Sequence, residues 1–531
     1  MAKPVKKFMK KFIRLVFCAF GMAILFTDCA AQNFSPYFIL EQHSKYIDYM
    51  INSGKLRVEH PLNQPYASGM LLDSIMGLED SVTGHWRKLL QQDLEVFGNP
   101  ERKEGKNGKL LLGADGGVRM SKEDDKGFNN DFFGGIYAGY SYKNFGLFHN
   151  FNIDQAYGND TSAFGTNGKL NNPNIGRSNA AYAQVDFKGM NVFVGRMRRN
   201  FGIMGEQGLM LSDNAHSFDH FAFTFTNKAL KFTTMFGRLD DLYGYDIRDT
   251  VLNYKWNKRY FSAHRFEIAV LKNLEFVFSE SVVYGGAEQG ALLQYINPAN
   301  FFYLSKLIDR KGYVEDQVNS LMSFELYYKP WKRVTIYGSF LIDDIDFVKS
   351  LRDSFPDRLG WTGKVVYSDP FPGSQLTLTY NRVSNWTYNS FYTWGNYTYF
   401  NSSLGYGKNG VENIKLGFDV FRWKPFILGL RVMAQRERKQ DLTAAFGGYK
   451  SEFPMGVSQN VIQSAVDVTY FPWRYLEAGL SLEYVHADNF EHVSGGETNE
   501  PRSDPQRRPA QLSQPPPTDS DRVGGVLCCL C

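Results

Sequence analysis

Side chains that could carry out catalysis are few in this sequence. No GxSxG sequence is present that would hold a nucleophilic serine, and no HExxH sequence is present that would bind zinc. His264 and Glu267 lie together in an AHRFE stretch, but no serine motif accompanies them. Residues 32–527 contain no cysteine, which excludes a thiol nucleophile and a cysteine-based zinc or iron–sulfur site there. We therefore expect no catalytic residue, no metal and no cofactor.

Two groups of charged residues could form a site inside the folded chain. Asp343 and Asp344 end a β-like stretch and could hold a hard cation through their oxygens, although a solvated strand end is the simpler interpretation. Arg196, Arg198 and Arg199 form a basic patch that could attract an anionic group. Ion pairs with neighbouring acids are the simpler interpretation of this patch.

The most informative stretch is an uncharged aromatic segment, Val383–Gly407. Eight of the 15 residues from Trp386 to Phe400 are aromatic, and they alternate with Asn, Thr, Ser and Gly. Aromatic rings of this kind stack on the flat C–H faces of sugars, and they also form the girdle of a membrane protein at the lipid interface. Spacing alone slightly favours the girdle. The candidate sugar-binding side chains are Trp386, Tyr388, Tyr392, Trp394, Tyr397 and Tyr399.

Composition excludes several classes of protein. The chain has 531 residues, with 44 Phe, 31 Tyr and 8 Trp, an apolar fraction of 43% and a formal net charge of +4. This is too apolar for a disordered chain. The first 31 residues contain six basic groups and one acid, so the remainder carries 53 basic against 54 acidic groups, a net charge of −1. We expect no nucleic-acid partner.

Residues 1–31 have the pattern of a secretory signal peptide. A lysine-rich start is followed by the apolar stretch Leu15–Phe26 and by small residues before Gln32. The apolar stretch is shorter than the roughly 20 residues that a membrane-spanning helix needs. The alternative is a lipoprotein cut before Cys29, but Asp28 is a poor fit to the small residue preferred there.

Residues 32–105 are predicted to form a small helical segment. Apolar residues at helical spacing indicate helices over His43–Gly54, Leu71–Met76 and Thr83–Phe97. The last of these helices has an apolar stripe that needs a surface to cover it, formed by Trp86, Leu89, Leu90 and Leu94. We expect this segment to plug the domain that follows.

Residues 106–493 are predicted to form a transmembrane β-barrel. About 16 to 18 segments alternate with period two, as in Phe221, Phe223 and Phe225, over a length that soluble sandwiches rarely reach. The polar face often carries full charges, as at Glu267 and Glu325, which suits a wet lumen. Strand ends are rich in aromatic residues, as membrane interfaces require. Tight turns with an aromatic girdle are predicted at Tyr327–Trp331, Arg422–Phe426 and Tyr470–Trp473. The predicted fold class is an all-β barrel of about 18 antiparallel strands with an N-terminal α-helical plug.

The segment 494–531 departs from this pattern. It contains no aromatic residue, six of the 20 prolines and three of the five cysteines. Because proline removes a hydrogen-bond donor from a β-ladder, we expect the segment to be disordered and to add no central strand. The preferred hypothesis is that the natural reading frame is lost near Val493 and that a closing strand is missing, which sequencing of the locus would test.

Five stretches resemble the Wzi-like capsule-assembly proteins, a family of outer-membrane lectins of Gram-negative bacteria. In chain order they are Gly208–Asp219, His264–Glu267, Ser279–Gly285, Tyr295–Pro298 with Phe302 and Tyr303, and Asp343–Asp344 with Leu376–Tyr388. The resemblance covers about residues 35–490. It implies an 18-stranded barrel in the outer membrane, plugged by its N-terminal helices, whose members bind exported capsular polysaccharide and are not known as enzymes.

The leading expectation is therefore a non-catalytic lectin that binds capsular or other extracellular polysaccharide and helps assemble it on the cell surface. Its expected partners are that polysaccharide, outer-membrane lipid and, during biogenesis, the barrel assembly machinery. The alternative is a porin or channel for oligosaccharides or anions. A third class, an acyl hydrolase, would show lipid-ester turnover that is lost when His264 is changed. The resemblance makes a sugar platform at least as good an interpretation of Val383–Gly407 as a girdle.

Overall fold

The computed structural model describes most of the chain. The described residues are 44–75, 84–97, 108–123, 126–155, 176–187, 189–247, 251, 253–287, 289–303, 318–345, 356–439, 441–447, 452–494, 497–498 and 524–530. The predicted signal peptide, residues 1–31, lies outside them.

Among the described residues, three helices precede the barrel, close to where apolar periodicity predicts them, and a fourth lies between two barrel strands. They are α1 (Ser44–Asn52), α2 (Ser68–Ile75), α3 (Gly84–Phe97) and α4 (Leu293–Ile296). Short 3-10 turns occur at Thr393–Gly395 and Phe490–His492. In the described part of the chain no helix has the length and apolar character needed to cross a membrane.

The rest of the described chain is an antiparallel sheet that closes on itself. Eighteen of the strands in the ring have seven residues or more: β1 (Lys109–Glu123), β2 (Lys126–Tyr142), β3 (Phe145–Asp154), β4 (Ala181–Phe187), β5 (Met190–Met197), β6 (Phe218–Thr226), β7 (Leu230–Arg238), β8 (Lys255–Leu271), β9 (Leu274–Gly286), β10 (Val318–Trp331), β11 (Val334–Asp344), β12 (Arg358–Ser368), β13 (Ser374–Val383), β14 (Val411–Val420), β15 (Phe426–Glu437), β16 (Gln459–Trp473), β17 (Leu476–Asp488) and β18 (Gly524–Leu530). Three shorter strands extend the ring, Gly176–Arg177, Leu242–Gly244 and Glu497–Thr498. Two short pairs lie apart from it, Asn63–Gln64 with Asn200–Phe201 and Thr398–Tyr399 with Ser402–Ser403. The predicted fold class, a barrel of about 18 antiparallel strands with a helical plug, is confirmed.

The ring is closed by β18, which pairs with both β1 and β17. The prediction that the segment 494–531 adds no central strand is therefore wrong for Gly524–Leu530. It was wrong because all six prolines of the segment lie at or before Pro517, so the last residues keep every backbone donor that a strand needs.

Alternation along the strands separates an apolar exterior from a polar interior. On β1 and β2, Leu110, Leu112 and Ile136 are exposed on the outside of the ring. Glu267 on β8 and Glu325 on β10 are buried inside it. An exposed apolar band around a closed, fully paired sheet is what a lipid-facing wall requires.

The two ends of the barrel differ in their connections. At one end, here called the tight-turn end, neighbouring strands are joined by short turns, such as those after Leu271, Trp331 and Trp473. The other, long-loop end carries the connections after Met197, Arg238, Gly286 and Val383. The predicted aromatic turns all lie at the tight-turn end, where Trp331, Trp423 and Trp473 are exposed. Short turns on the periplasmic side and long loops outside are typical of outer-membrane barrels.

The helices α1 and α3 pack inside the tight-turn end. Trp86 has no exposed surface, and its Nε1–H donates to the Phe421 carbonyl at 2.9 Å. Its ring lies 5.6 Å from that of Tyr46 and 6.2 Å, edge-on, from that of Phe471. Leu89, Leu90 and Leu94 of the same stripe are also buried in this cluster. The apolar stripe of α3 thus covers the inner ends of the barrel wall.

Candidate functional site

The predicted aromatic segment lies inside the barrel at the long-loop end. The part that follows β13, residues 384–410, here called the inner loop, folds into the lumen. Tyr388 and Tyr397 are 0% exposed, Tyr392 is 3% exposed, and Trp386 and Trp394 are each 7% exposed. In this arrangement the rings of Tyr388 and Tyr397 offer no face to a ligand. Direct sugar contact by the six predicted aromatic residues therefore stays a prediction, with Tyr399, which is half-buried, the most accessible of them.

Arginines of the barrel wall hold the inner loop. The Arg259 guanidinium, from β8, donates to the carbonyl oxygens of Trp394 at 2.8 Å, Asn396 at 2.7 Å and Thr398 at 2.8 Å. Arg358, at the start of β12, donates to the Asn389 carbonyl. Because these guanidinium groups satisfy backbone carbonyls that water cannot reach, the loop is a fixed part of the interior.

Tyrosine hydroxyls complete this attachment. Tyr388 donates its hydroxyl to the Leu209 carbonyl at 2.6 Å, and its backbone N–H donates to Asp343 Oδ2 at 2.7 Å. The hydroxyls of Tyr397 and Ser281 lie 2.8 Å apart. Burial raises the pKa of Tyr388 and of Tyr397 well above the ordinary tyrosine value, so both hydroxyls remain protonated and neutral. Three of the family-like stretches, which contain Leu209, Ser281 and Asp343, thus converge on this one loop.

The predicted charge clusters form ion pairs with other barrel residues. Arg196 makes a two-pronged contact with Asp219, with Nε 2.9 Å from Oδ1. Arg199 donates to His220 Nε2 at 2.9 Å, and Arg198 is half-buried. Arg358 binds the two aspartates instead, at 3.6 Å from Asp343 Oδ2 and 2.9 Å from Asp344 Oδ2. The simpler interpretation, neighbouring ion pairs, describes Arg196 and Asp343 in this structure.

His264 lies on the outer wall, away from Glu267. Arg265 and Glu267 face the lumen, so the alternation of β8 turns His264 outward, where its Nδ1 is 3.1 Å from Glu280 Oε1. The segment 289–303 runs over this pair, with the Phe302 ring 4.2 Å from the imidazole. His264 and Glu267 are close in the sequence but do not face each other, because residues three apart on a strand lie on opposite faces.

An exposed aromatic cluster, here called the outer aromatic patch, lies at the long-loop end. It consists of Tyr243, Tyr245, Tyr254 and Trp256. Tyr243, Tyr254 and Trp256 are 56%, 47% and 66% exposed. The Tyr243 ring lies 5.6 Å from Tyr254 and 5.5 Å from Trp256, and Tyr245 lies 4.8 Å from Tyr254. The short strand Leu242–Gly244 pairs with the start of β8 and sets Tyr243 directly opposite Trp256, so the rings form one continuous surface.

The inner loop supports the outer aromatic patch from beneath. The Tyr245 N–H donates to Thr393 Oγ1 at 3.1 Å, and the Thr393 N–H donates to the Tyr245 carbonyl at 3.0 Å. Ile247 N–H donates to the Phe391 carbonyl at 2.9 Å. A Cβ on Gly244 would lie 2.1 Å from Thr393 Oγ1, so this close approach requires glycine. The aromatic residues selected from the sequence thus form the layer below the exposed ones.

The outer aromatic patch lies above the lipid-facing band. Trp256 is about 15 residues along β8 from Leu271 at the tight-turn end, or roughly 38 Å along the barrel axis for a strand tilted by about 40°. The apolar band of such barrels is about 25 Å tall. With Leu271 at the lower edge of the band, the patch lies about 13 Å above its upper edge, beyond the level of an interfacial girdle. Aromatics at i and i+2 on both sides of a turn, as in Tyr243/Tyr245 and Tyr254/Trp256, are the sequence signal that could have revealed it.

Comparisons with known proteins place the chain beside capsule-assembly barrels. The family model of the capsule assembly protein Wzi matches residues 113–357, so the resemblance seen in the sequence is confirmed over this part of the chain. The structure of Wzi from Escherichia coli, an outer-membrane protein involved in group 1 capsule assembly and described as a carbohydrate-binding β-barrel, is similar with a TM-score of 0.60 at 12% identity, covering 94% of this chain and 99% of that one. Pseudomonas aeruginosa OccD3 (OpdP) and OccK8 (OprE) each have a TM-score of 0.45, at 11% and 8% identity, over 80% of this chain and 91% and 98% of theirs. No curated protein sequence matches the chain.

Proposed function

We propose, from the match to the Wzi capsule-assembly family and the placement of the outer aromatic patch, that this chain is an outer-membrane lectin. It binds capsular or other extracellular polysaccharide and helps assemble it on the cell surface, without catalysing a reaction. The apolar band contacts outer-membrane lipid, and insertion uses the barrel assembly machinery.

The observation that carries this proposal is the outer aromatic patch. Three of its rings are solvent-exposed and lie beyond the lipid-facing band, and the backbone at Tyr245 is hydrogen-bonded to the inner loop. A rigid aromatic surface stacks on the apolar faces of sugar rings and loses little conformational entropy when it does so. The long-loop end is the end that faces outward in barrels of this kind, so the patch meets a polymer at the cell surface.

The contents of the lumen favour the lectin over the channel. α1 and α3 fill the tight-turn end, and the inner loop crosses the lumen at the long-loop end, held by Arg259 and Arg358. Single-channel conductance of the purified protein tests this directly. We expect no stable open pore, and a large, persistent conductance would support the porin alternative instead.

Binding of purified extracellular polysaccharide to the folded protein tests the lectin and its site together. The double variant Tyr243→Ala and Trp256→Ala removes two stacking surfaces, each contributing on the order of 0.5–1.5 kcal/mol, and should weaken binding roughly tenfold or more. The matched control is Trp331→Ala, because Trp331 is 69% exposed but lies at the tight-turn end. If the native chain binds polysaccharide and the double variant binds it equally well, the patch is rejected as the site but the lectin function is kept. If the native chain binds no polysaccharide, the lectin function is rejected.

A further inference from the structure

A buried cluster of three potential metal ligands joins the plug to the barrel wall. His60 lies in the connection between α1 and α2, Glu267 lies on β8 and Glu275 on β9. The His60 Nδ1 atom is 3.1 Å from Glu275 Oε2 and 3.9 Å from Glu267 Oε2. Their ligand atoms all lie within 4.8 Å of one another, and the three side chains are no more than 5% exposed.

The imidazole is oriented so that Nδ1 faces the two carboxylates, at 3.1 Å from Glu275 Oε2. His60 Nε2 lies 3.5 Å from the Asn227 carbonyl oxygen, which can accept its proton when the imidazole donates through Nε2. In that tautomer Nδ1 presents a lone pair to a carboxylate oxygen. Two acceptors at 3.1 Å repel each other unless a proton or a metal ion lies between them.

One of the two carboxylates, Glu267, is held in place by a neighbouring arginine, and each carboxylate has an oxygen without a hydrogen bond. Arg265 Nε donates to Glu267 Oε1 at 2.7 Å, while the rest of its guanidinium binds Glu325 and the Leu62 carbonyl. Glu267 Oε2 and Glu275 Oε1 make no hydrogen bond. Outer hydrogen bonds of this kind, on both the histidine and a carboxylate, are typical of residues that orient metal ligands.

We propose that His60, Glu267 and Glu275 bind one divalent transition-metal ion of the Zn²⁺ class, with a fourth position left for water. One imidazole nitrogen and two carboxylate oxygens suit this class of ion better than Ca²⁺ or Mg²⁺, which prefer oxygen alone. Zinc–ligand distances of about 2.0–2.2 Å in a tetrahedron place ligand atoms about 3.4 Å apart, between the observed separations of 3.1 and 3.9 Å. The ion would tie the plug to β8 and β9.

One nearby cation competes with the metal. Lys231 Nζ lies 3.7 Å from Glu267 Oε2, and its side chain is 20% exposed, so it can turn toward water when the ion binds. The sequence does not reveal the site because its ligands come from the plug and from two different strands.

Zn²⁺ titration of the full-length protein in detergent, after chelation and at neutral pH, tests the proposal. Calorimetry and elemental analysis should show one ion per chain. His60→Gln and Glu275→Gln should each weaken Zn²⁺ binding at least about tenfold, since each removes a ligand. Lys231→Met should bind Zn²⁺ more tightly because the competing charge is gone.

The matched control is Glu280→Gln. Glu280 also lies on β9 and has a buried histidine 3.1 Å away, but it belongs to the outer wall, so its change should leave Zn²⁺ binding unaltered. Circular dichroism and resistance to proteolysis establish that each variant is folded. Native protein that binds no Zn²⁺ below about millimolar concentration, or equal binding by the folded His60→Gln and Glu275→Gln variants, overturns the proposal. In that case a proton on His60 bridges the carboxylates, and the lectin proposal is unaffected.

Discussion

Tyr245 and Thr393 exchange hydrogen bonds across the boundary between the surface and the lumen. The Tyr245 N–H donates to Thr393 Oγ1 at 3.1 Å, and the Thr393 N–H donates to the Tyr245 carbonyl at 3.0 Å. This pair joins the outer aromatic patch to the inner loop. A patch whose backbone is held this way needs less ordering when it binds a polymer, which lowers the entropic cost of binding.

Thr393→Val should loosen the patch without changing its rings. The variant keeps the shape of the side chain but removes the acceptor for the Tyr245 N–H, which costs about 1 kcal/mol locally. Amide hydrogen exchange should become faster in residues 242–247, and polysaccharide binding should weaken several-fold. The control is Thr377→Val, which makes the same change at a half-buried threonine on β13, away from the patch. Exchange rates in 242–247 that match those of the native protein would contradict the proposed link.

Arg259→Met should release the inner loop. The guanidinium is fully buried and satisfies three carbonyls and Asp240, so its removal leaves those groups unpaired and costs roughly 3–5 kcal/mol. We expect faster hydrogen exchange across residues 391–399 and brief openings in single-channel recordings. Arg238→Met is the control, because that arginine pairs with Asp241 on the exposed surface. A closed and fully protected loop in the Arg259 variant would show that other contacts suffice to hold it.

Trp86→Ala should detach the plug. Truncation of a buried tryptophan typically costs about 3–5 kcal/mol, and here it also removes the hydrogen bond to Phe421. Limited proteolysis should cut α1 and α3 while the barrel stays intact, and conductance should rise. Trp86→Phe keeps most of the packing, so its rate of proteolysis and its conductance should lie between those of the native protein and of Trp86→Ala. If proteolysis of the Ala variant leaves the helices uncut, the plug is held mainly by its polar contacts.

The loop that carries Glu206 should loosen in acid. Burial opposes the charge of this carboxylate, but Lys415 at 3.2 Å and Lys364 at 3.9 Å outweigh burial and set its pKa below the ordinary glutamate value. A lowered folded-state pKa means that the stabilisation is complete above the unfolded pKa of about 4.3 and is lost as pH falls through the folded value. Hydrogen-exchange protection of residues 203–209 should therefore be constant from pH 8 to about 5 and decrease below pH 4. In Glu206→Gln this acid step should disappear.

The barrel could be predicted from the sequence because alternation is local. Phe221, Phe223 and Phe225 alternate with small or polar residues whatever their strand pairs with, and the apolar stripe of α3 is visible in the same way. The closing strand could not be predicted from the composition of residues 494–531, because what matters for Gly524–Leu530 is where the prolines lie and not how many there are.

The site was harder to predict because aromatic residues with Asn and Thr suit three environments. The same composition serves a lipid interface, a sugar platform and a packed interior whose backbone needs polar partners. The inner loop that contains Tyr388 and Tyr397 is bound by Arg259 and Ser281, which are more than a hundred positions away. Tyr243 and Trp256 lie in a charged stretch that does not stand out by composition, and only strand register brings them together.

The outer wall of the barrel is not uniformly apolar, because His264 and Glu280 face outward. His264 is about seven residues from Leu271 along β8, or roughly 18 Å up the wall, which is inside a lipid band about 25 Å tall. Ionisable groups in contact with acyl chains cost several kcal/mol. The segment 289–303 takes the place of lipid over this sector, with Phe302 against the imidazole. In this sector the barrel therefore presents residues 289–303 to its surroundings and keeps the polar pair His264 and Glu280 buried beneath them.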